Sequence, residues 1–284
     1  MKLGCDTALF NQLDLGDALK YIAWAGYEGA EICYQEKWVR HIELNTSKSY
    51  IDGVKSIAEK YGLKLLAIST GFGPGFQERT HGDKIKVLTK VFDVAAKLNI
   101  PIVSIRPFGK PDEKETTRQE FSYIRKLSEQ AASRGLTLAI TPHIAASVYN
   151  IATTIQMLDE IDSPALGVTL DLFQIYKGGD NPAEAVLKIG KRIVHSHFSD
   201  CAKALRFVYL PISRAKAEDE IPGRGDIDYP KILRNLKDVG YDKAIDFQTV
   251  TARGYQLWRT VGIAAEARGY LHRCLQELNQ GSNQ

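Results

Sequence analysis

The sequence is poor in the features that would mark it for export, a membrane or nucleic acid. Its four cysteines, Cys5, Cys33, Cys201 and Cys274, lie far apart and form no CxxC pair. That spacing argues against a disulfide framework and fits reduced thiols. No apolar run approaches the ~20 residues of a membrane span, and the opening MKLGCDTALF lacks the ~7–15-residue apolar core of a signal peptide. A cytoplasmic location with no membrane partner is therefore expected. Net charge is also scarce: 37 basic residues against 34 acidic ones leave +3, too little to attract nucleic acid. No glycine-rich phosphate turn follows the first β-rich run, which counts against a doubly wound nucleotide-binding sheet.

What the chain does have is regular alternation. Short β-rich runs cover 2–7, 30–35, 64–70, 100–106, 136–143, 166–173, 193–199 and 244–250. Between them lie stretches such as KIKVLTKVFDVAAKLN and RQEFSYIRKLSEQAASRG, whose apolar residues recur at spacings of three and four, the stripe of a helix packed on a sheet. Glycines after Tyr61, Arg134 and Val239 sit where a helix needs a left-handed cap. Strands each followed by a helix imply parallel pairing and right-handed crossovers. The expected fold is α/β, a (β/α)₈ TIM barrel in one domain over 1–284, with a frayed tail from about residue 279. The longest connection, about 200–229, follows the seventh run on the face where barrel enzymes keep their chemistry.

Side chains two apart on a strand share a face. Thr141 with His143, Thr169 with Asp171, His195 with His197, and Asp246 with Gln248 would thus converge near the carboxyl ends of four consecutive strands. His195 and Asp246 should face inward one layer deeper, as a structural pair before a proton relay. Arg106, Arg206, Arg224 and Arg253 fall at or beyond strand ends, and guanidinium groups clamp carboxylates and phosphates. Arg106, Arg224 and Arg253 are the candidates for binding an anionic ligand. Tyr34, Trp38, Phe72, Phe76 and Phe108 lie near the same ends, where aromatics either pack or stack on a sugar face.

The stretches LTLAITPH, GVTLDLFQ, IVHSHFSD and IPGRGDIDYPKILRNLKDVGYDKAIDFQ, with GYEGAEI near the start, resemble the xylose isomerase-like sugar isomerases and epimerases over roughly 1–272. The resemblance implies a divalent metal (Mn, Mg or Zn) held by Glu, Asp, His and Glu from the fifth to eighth strands. The two glutamates of that set also move a proton beside a sugar carbonyl. Carried over residue by residue, the Asp and His ligands fall on Asp171 and His197, while the glutamate positions hold Thr141 and Gln248.

Hard cations prefer carboxylate oxygens, so a metal is expected to bind weakly or not at all. Neither Thr nor Gln can act as a base near neutral pH. His143 and Asp171 are the remaining catalytic candidates; Thr141 and Gln248 become ligand-binding ones. His143, Asp171 and His197 could instead form a two-His, one-carboxylate set suited to Zn²⁺ or Fe²⁺, or simply hydrogen-bond one another. The expected partner is a small carbohydrate-like molecule, with an anionic one fitting the arginines. A homo-oligomer is compatible with the resemblance. Two functions stay open: a sugar isomerase or epimerase, and a metal-free, non-catalytic carbohydrate-binding barrel.

Overall fold

The parallel strands β1 (Lys2–Asp6), β2 (Gly29–Gln35), β4 (Lys64–Thr70), β5 (Ile102–Ile105), β6 (Thr137–Ile140), β7 (Leu166–Asp171), β8 (Ile193–His197) and β9 (Ala244–Phe247) pair in ring order. β1 pairs with both β2 and β9, which closes the barrel. A two-residue strand, β3 (Val39–Arg40), folds back antiparallel on the end of β2. The computed structural model describes residues 1–71, 79–207 and 215–280. Phe72 and Phe76 lie outside the described residues, as does most of the glycine-rich 71–76 segment.

Strands sealed on both faces read as continuous buried runs. All seven residues of β2 and all six of β7 are buried. The helices wrap the outside: α1 (Leu15–Trp24), α2 (Lys48–Lys60), α3 (His81–Leu98), α4 (Lys114–Ala132), α5 (Ile151–Ile161), α6 (Leu172–Lys177), α7 (Pro182–Ile189), α8 (Tyr229–Asp238) and α9 (Leu257–Gln280). In α3, Leu88, Val91, Phe92 and Ala95 are buried, which is the expected one-sided stripe. Gly62, Gly135 and Gly240 adopt φ of 66°, 68° and 81°, a region costly for residues bearing a Cβ. None of the four cysteines is in a disulfide, and all are buried.

Several strands stop earlier than the sequence suggests. The run expected over 136–143 ends at Ile140, before Pro142, which has no N–H to donate. The run expected over 166–173 ends at Asp171, whose side chain accepts from the Gln174 N–H at 2.9 Å and so caps α6. α9 continues through Gln280, past the expected start of a frayed tail, and the residues after it lie outside the described ones. No described helix is long and apolar enough to cross a membrane.

The long connection after β8 is better organised than its sequence implies. Short 3₁₀ turns form at Lys203–Leu205 and Ala217–Glu220. The Asp200 carboxylate accepts from the N–H groups of Cys201, Gly223 and Ile227 at 2.8, 2.7 and 3.3 Å. A Cβ on Gly225 would lie 2.2 Å from the Asp200 Oδ1, so glycine there lets the chain close around this carboxylate.

Candidate active site

The carboxyl ends of the strands surround a cavity of about 940 Å³ including its open mouth. Arg106, Thr141, His143, Asp171, His197 and Gln248 all line it. At its floor the Ser104 hydroxyl lies 2.9 Å from that of Thr141 and 2.8 Å from that of Thr169. The Ser199 hydroxyl donates to the backbone carbonyl of Gln248, fixing the chain just past β9. Asp171 offers Oδ1 to the Gln174 N–H, while its Oδ2 lies 3.5 Å from His197 Nδ1.

Beneath the cavity lies a buried ionic cluster. His197 Nε2 meets Glu31 Oε2 at 2.8 Å; His195 Nε2 lies 3.3 Å from Glu31 Oε1 and 3.4 Å from Asp246 Oδ2. Glu31, on β2, thus bridges both histidines, and the expected His195–Asp246 pairing is present. Burial opposes charge on His195, but Glu31 and Asp246 outweigh it and lift its pKa to about 9. Burial likewise opposes ionisation of Glu31, yet the two imidazoles hold its carboxyl below the ordinary range. Asp246 is pushed up to about 6, chiefly by burial. Gly4 makes room for the cluster: a Cβ there would sit 2.7 Å from Asp246 Oδ1.

The other arginines are placed elsewhere. Arg224 does not line the cavity; it makes two bonds to Glu266, at 2.6 and 2.7 Å, on the surface. Arg253 stacks 5.0 Å from the centre of the Trp38 ring and is exposed. Both depart from the expected ligand-facing role, because partners closer to hand hold each guanidinium. Arg206 donates to the backbone carbonyls of Tyr176 and Gly179. Phe108 packs against His81 and Tyr123, and the Tyr34 hydroxyl reaches Glu36 at 3.4 Å.

Two charged cavity residues escaped the sequence reading. Lys177, at the end of α6, is 5% exposed, its ammonium 4.9 Å from the Phe173 ring centre, and burial pushes its pKa down. Glu220, in the long connection, is 6% exposed and accepts from the Thr249 hydroxyl; burial pushes its pKa up to about 7. Their only sequence signal is position: one follows a strand-end carboxylate by six residues, the other precedes the PGRGD turn. His143 moves the other way. Burial first, then the charges of Arg106 and Lys177, drive its pKa well below the ordinary value.

The divalent ion implied by the resemblance meets two different donor sets. The strand-end set offers one carboxylate and one imidazole, with Thr141 already bonded to Ser104. That is a poor match to a hard cation. The deeper cluster of Glu31, His195, His197 and Asp246 can bring one ligand atom from each residue within 4.8 Å of the others. Among the described residues, Glu31 Oε1, His195 Nε2 and both Asp246 oxygens lack a hydrogen-bond partner of good geometry, a mixed N/O set acceptable to Zn²⁺. Only His197 of these four lines the cavity, so an ion held there would be walled off from a ligand.

Comparison with known proteins agrees with this architecture. The chain is 24% identical over 246 residues to the inosose isomerase of Halalkalibacterium halodurans, covering 84% of each chain. It superposes on a crystal structure of a D-tagatose 3-epimerase-like protein with a TM-score of 0.78 at 20% identity, covering 99% of this chain and 100% of that one. The IOLI protein, solved with a bound zinc atom, superposes with a TM-score of 0.73 at 20% identity over 94% of this chain and 96% of that one. A model of the xylose isomerase-like TIM barrel family matches residues 19–274, and the chain belongs to that family.

Proposed function

We propose that this chain is a sugar isomerase or epimerase acting on a small sugar, sugar acid or sugar phosphate in the cavity at the carboxyl ends of the strands. The observation that carries the reading is the convergence of Arg106, Thr141, His143, Asp171, His197 and Gln248 on that one cavity. Their hydroxyl, amide, imidazole and carboxylate groups suit a polyhydroxylated ligand. The relatives with curated activities include an inosose isomerase and a D-psicose 3-epimerase.

An anionic substrate is favoured by the cationic wall. Arg106 and Lys177 both line the cavity, and Lys177 pairs with no carboxylate among the described residues. The neutral side chains at Thr141 and Gln248 support weak or no binding of Mg²⁺, Mn²⁺ or Zn²⁺ at the strand ends. They also favour a second reading, a barrel that binds a carbohydrate without turning it over.

Calorimetry and turnover assays on a panel of ketoses, with their phosphorylated and carboxylated forms, test both. Anionic forms should bind at least tenfold tighter than their neutral parents, and Lys177→Ala should erase that preference. Equal affinity for neutral and anionic forms would remove the anionic assignment. Binding with turnover supports the enzyme, and binding without turnover supports the second reading.

A further inference from the structure

The strand-end positions that hold proton-moving glutamates in the resemblance are occupied here by side chains that cannot take a proton, yet the cavity contains a carboxylate, Glu220, that can. We propose that Glu220 and His143 form a metal-independent proton-transfer site: Glu220 takes a proton from the carbon beside the ligand carbonyl while His143 donates a hydrogen bond to the carbonyl oxygen. The ligand class is a small ketose or keto-acid, so the inference rests on the proposed function and assigns its chemistry to particular residues.

Placement is the first support. Both residues line the same cavity, His143 from the segment after β6 and Glu220 from the connection after β8. Glu220 is anchored on both sides: its backbone carbonyl accepts from the Asp200 N–H at 2.9 Å, and its carboxyl from the Thr249 hydroxyl. Thr249 in turn lies 2.9 Å from the Thr251 hydroxyl. The hydroxyls that position this carboxylate are neutral, and among the described residues no cation pairs with it directly. The other cavity carboxylate, Asp171, is committed at Oδ1 to the α6 cap and faces His197 at Oδ2, which makes it a positioning residue.

His143 is set for the complementary task. Its Nδ1 accepts from the Ala145 N–H at 3.2 Å, which places the ring proton on Nε2. Burial and the nearby cations keep the imidazole neutral, and a neutral imidazole N–H can polarise a carbonyl. Glu220, for its part, changes protonation near neutral pH, where a general base works best.

The step balances without an oxidant or added co-reactant. The C–H bond breaks, its proton passes to Glu220, and its electron pair forms the carbon–carbon double bond of an enediol(ate). The former carbonyl oxygen carries the charge, within reach of the His143 N–H and the field of Arg106 and Lys177. Return of the proton from Glu220 to the former carbonyl carbon, with the hydroxyl proton of the adjacent carbon passing to the former carbonyl oxygen, yields an isomer; return to the carbon it left regenerates the ligand, which exchange in D₂O detects.

The test is proton exchange in D₂O containing EDTA, followed by NMR, with D-fructose, D-tagatose, fructose 6-phosphate and ribulose 5-phosphate as probes. Saturation-transfer NMR on the same samples reports binding separately. Wild-type protein should exchange the proton beside the carbonyl of at least one probe, at a rate rising with pH through about 7. The charged groups acting on Glu220 are Asp171 and Lys177, so the inflection should move in Lys177→Ala. Glu220→Gln should lower exchange by at least ~100-fold with probe binding retained, Glu220→Asp should restore part of it, and His143→Gln should retain more than His143→Phe. Exchange abolished by EDTA and restored by Mn²⁺ would overturn the inference. So would wild-type rates in Glu220→Gln, or a bound probe that does not exchange; the last result leaves the binding site standing. A failure of every probe to bind would overturn the proposed function together with this inference.

Discussion

At the scale of single residues, the protonation of Glu220 has a measurable consequence for stability. Its folded pKa, about 7, lies above the ordinary 4.5. A carboxyl raised in this way contributes stability that is fully present below about 4.5 and is lost as pH rises through about 7. Ionising it in place costs on the order of 3 kcal/mol at most. Glu220→Gln removes that dependence. Between pH 5 and pH 8 the stability of the variant should therefore improve relative to wild type, by up to ~3 kcal/mol. Urea unfolding of both proteins at the two pH values measures the difference; a constant gap would mean that Glu220 titrates as an ordinary carboxylate. The same scale explains Glu31. It sits among strand residues whose alternation gives no sign of its role, and only the folded barrel brings it against both His195 and His197.

At the scale of elements, the connection from β8 to α8 carries the cavity's unforeseen acid, and its order depends on one carboxylate and one glycine. Gly225→Ala would drive a Cβ to 2.2 Å from Asp200 Oδ1 and 2.7 Å from the backbone carbon of Cys201. A clash against backbone cannot be relieved by a rotamer change, so overpacking of about 1–3 kcal/mol is expected. The pinned turn should loosen with it. Limited proteolysis should find new cleavage between residues 200 and 229, and urea unfolding should show the loss; unchanged patterns in both would mean that Asp200 does not hold the segment.

This segment also marks where the sequence stops being informative. The strands are legible because burial on both faces leaves near-continuous apolar runs, as in LGVTL of β7. Their ends are not, because a proline after Thr141 and a capping role for Asp171 act through backbone hydrogen bonds that no alternation records. Asp171, His197, Thr141 and Gln248 could be placed from strand order. Glu220 could not: KAEDE has the composition of a solvated turn, and its burial depends on Thr249 and Asp200 arriving from elsewhere. Arg224 failed in the opposite sense, since its partner Glu266 comes from a helix 42 residues away.

At the scale of the whole molecule, the barrel carries two charge systems. The deeper one, Glu31 with His195, His197 and Asp246, is buried, every member being 2% exposed or less, and it meets the upper one at His197. The upper one faces the ligand and mixes Asp171 and Glu220 with Arg106 and Lys177. Restoring the family's carboxylates would act where the two systems meet. The double variant Thr141→Glu, Gln248→Glu adds two negative charges to the cavity wall that Asp171 and His197 share. Changes one shell further out shift metal affinity by ~10–100-fold, so Mn²⁺ should bind the double variant at least ~100-fold tighter than wild type by calorimetry. No gain would mean that these positions do not converge as the strand register places them. Metal analysis of the purified wild type completes the argument. Zinc that survives dialysis in wild type and is lost in Glu31→Gln would belong to the buried cluster, because Glu31 does not line the cavity. Zinc retained in Glu31→Gln and lost in Asp171→Asn would instead place the ion at the strand ends, and the weak-binding assignment there would fall.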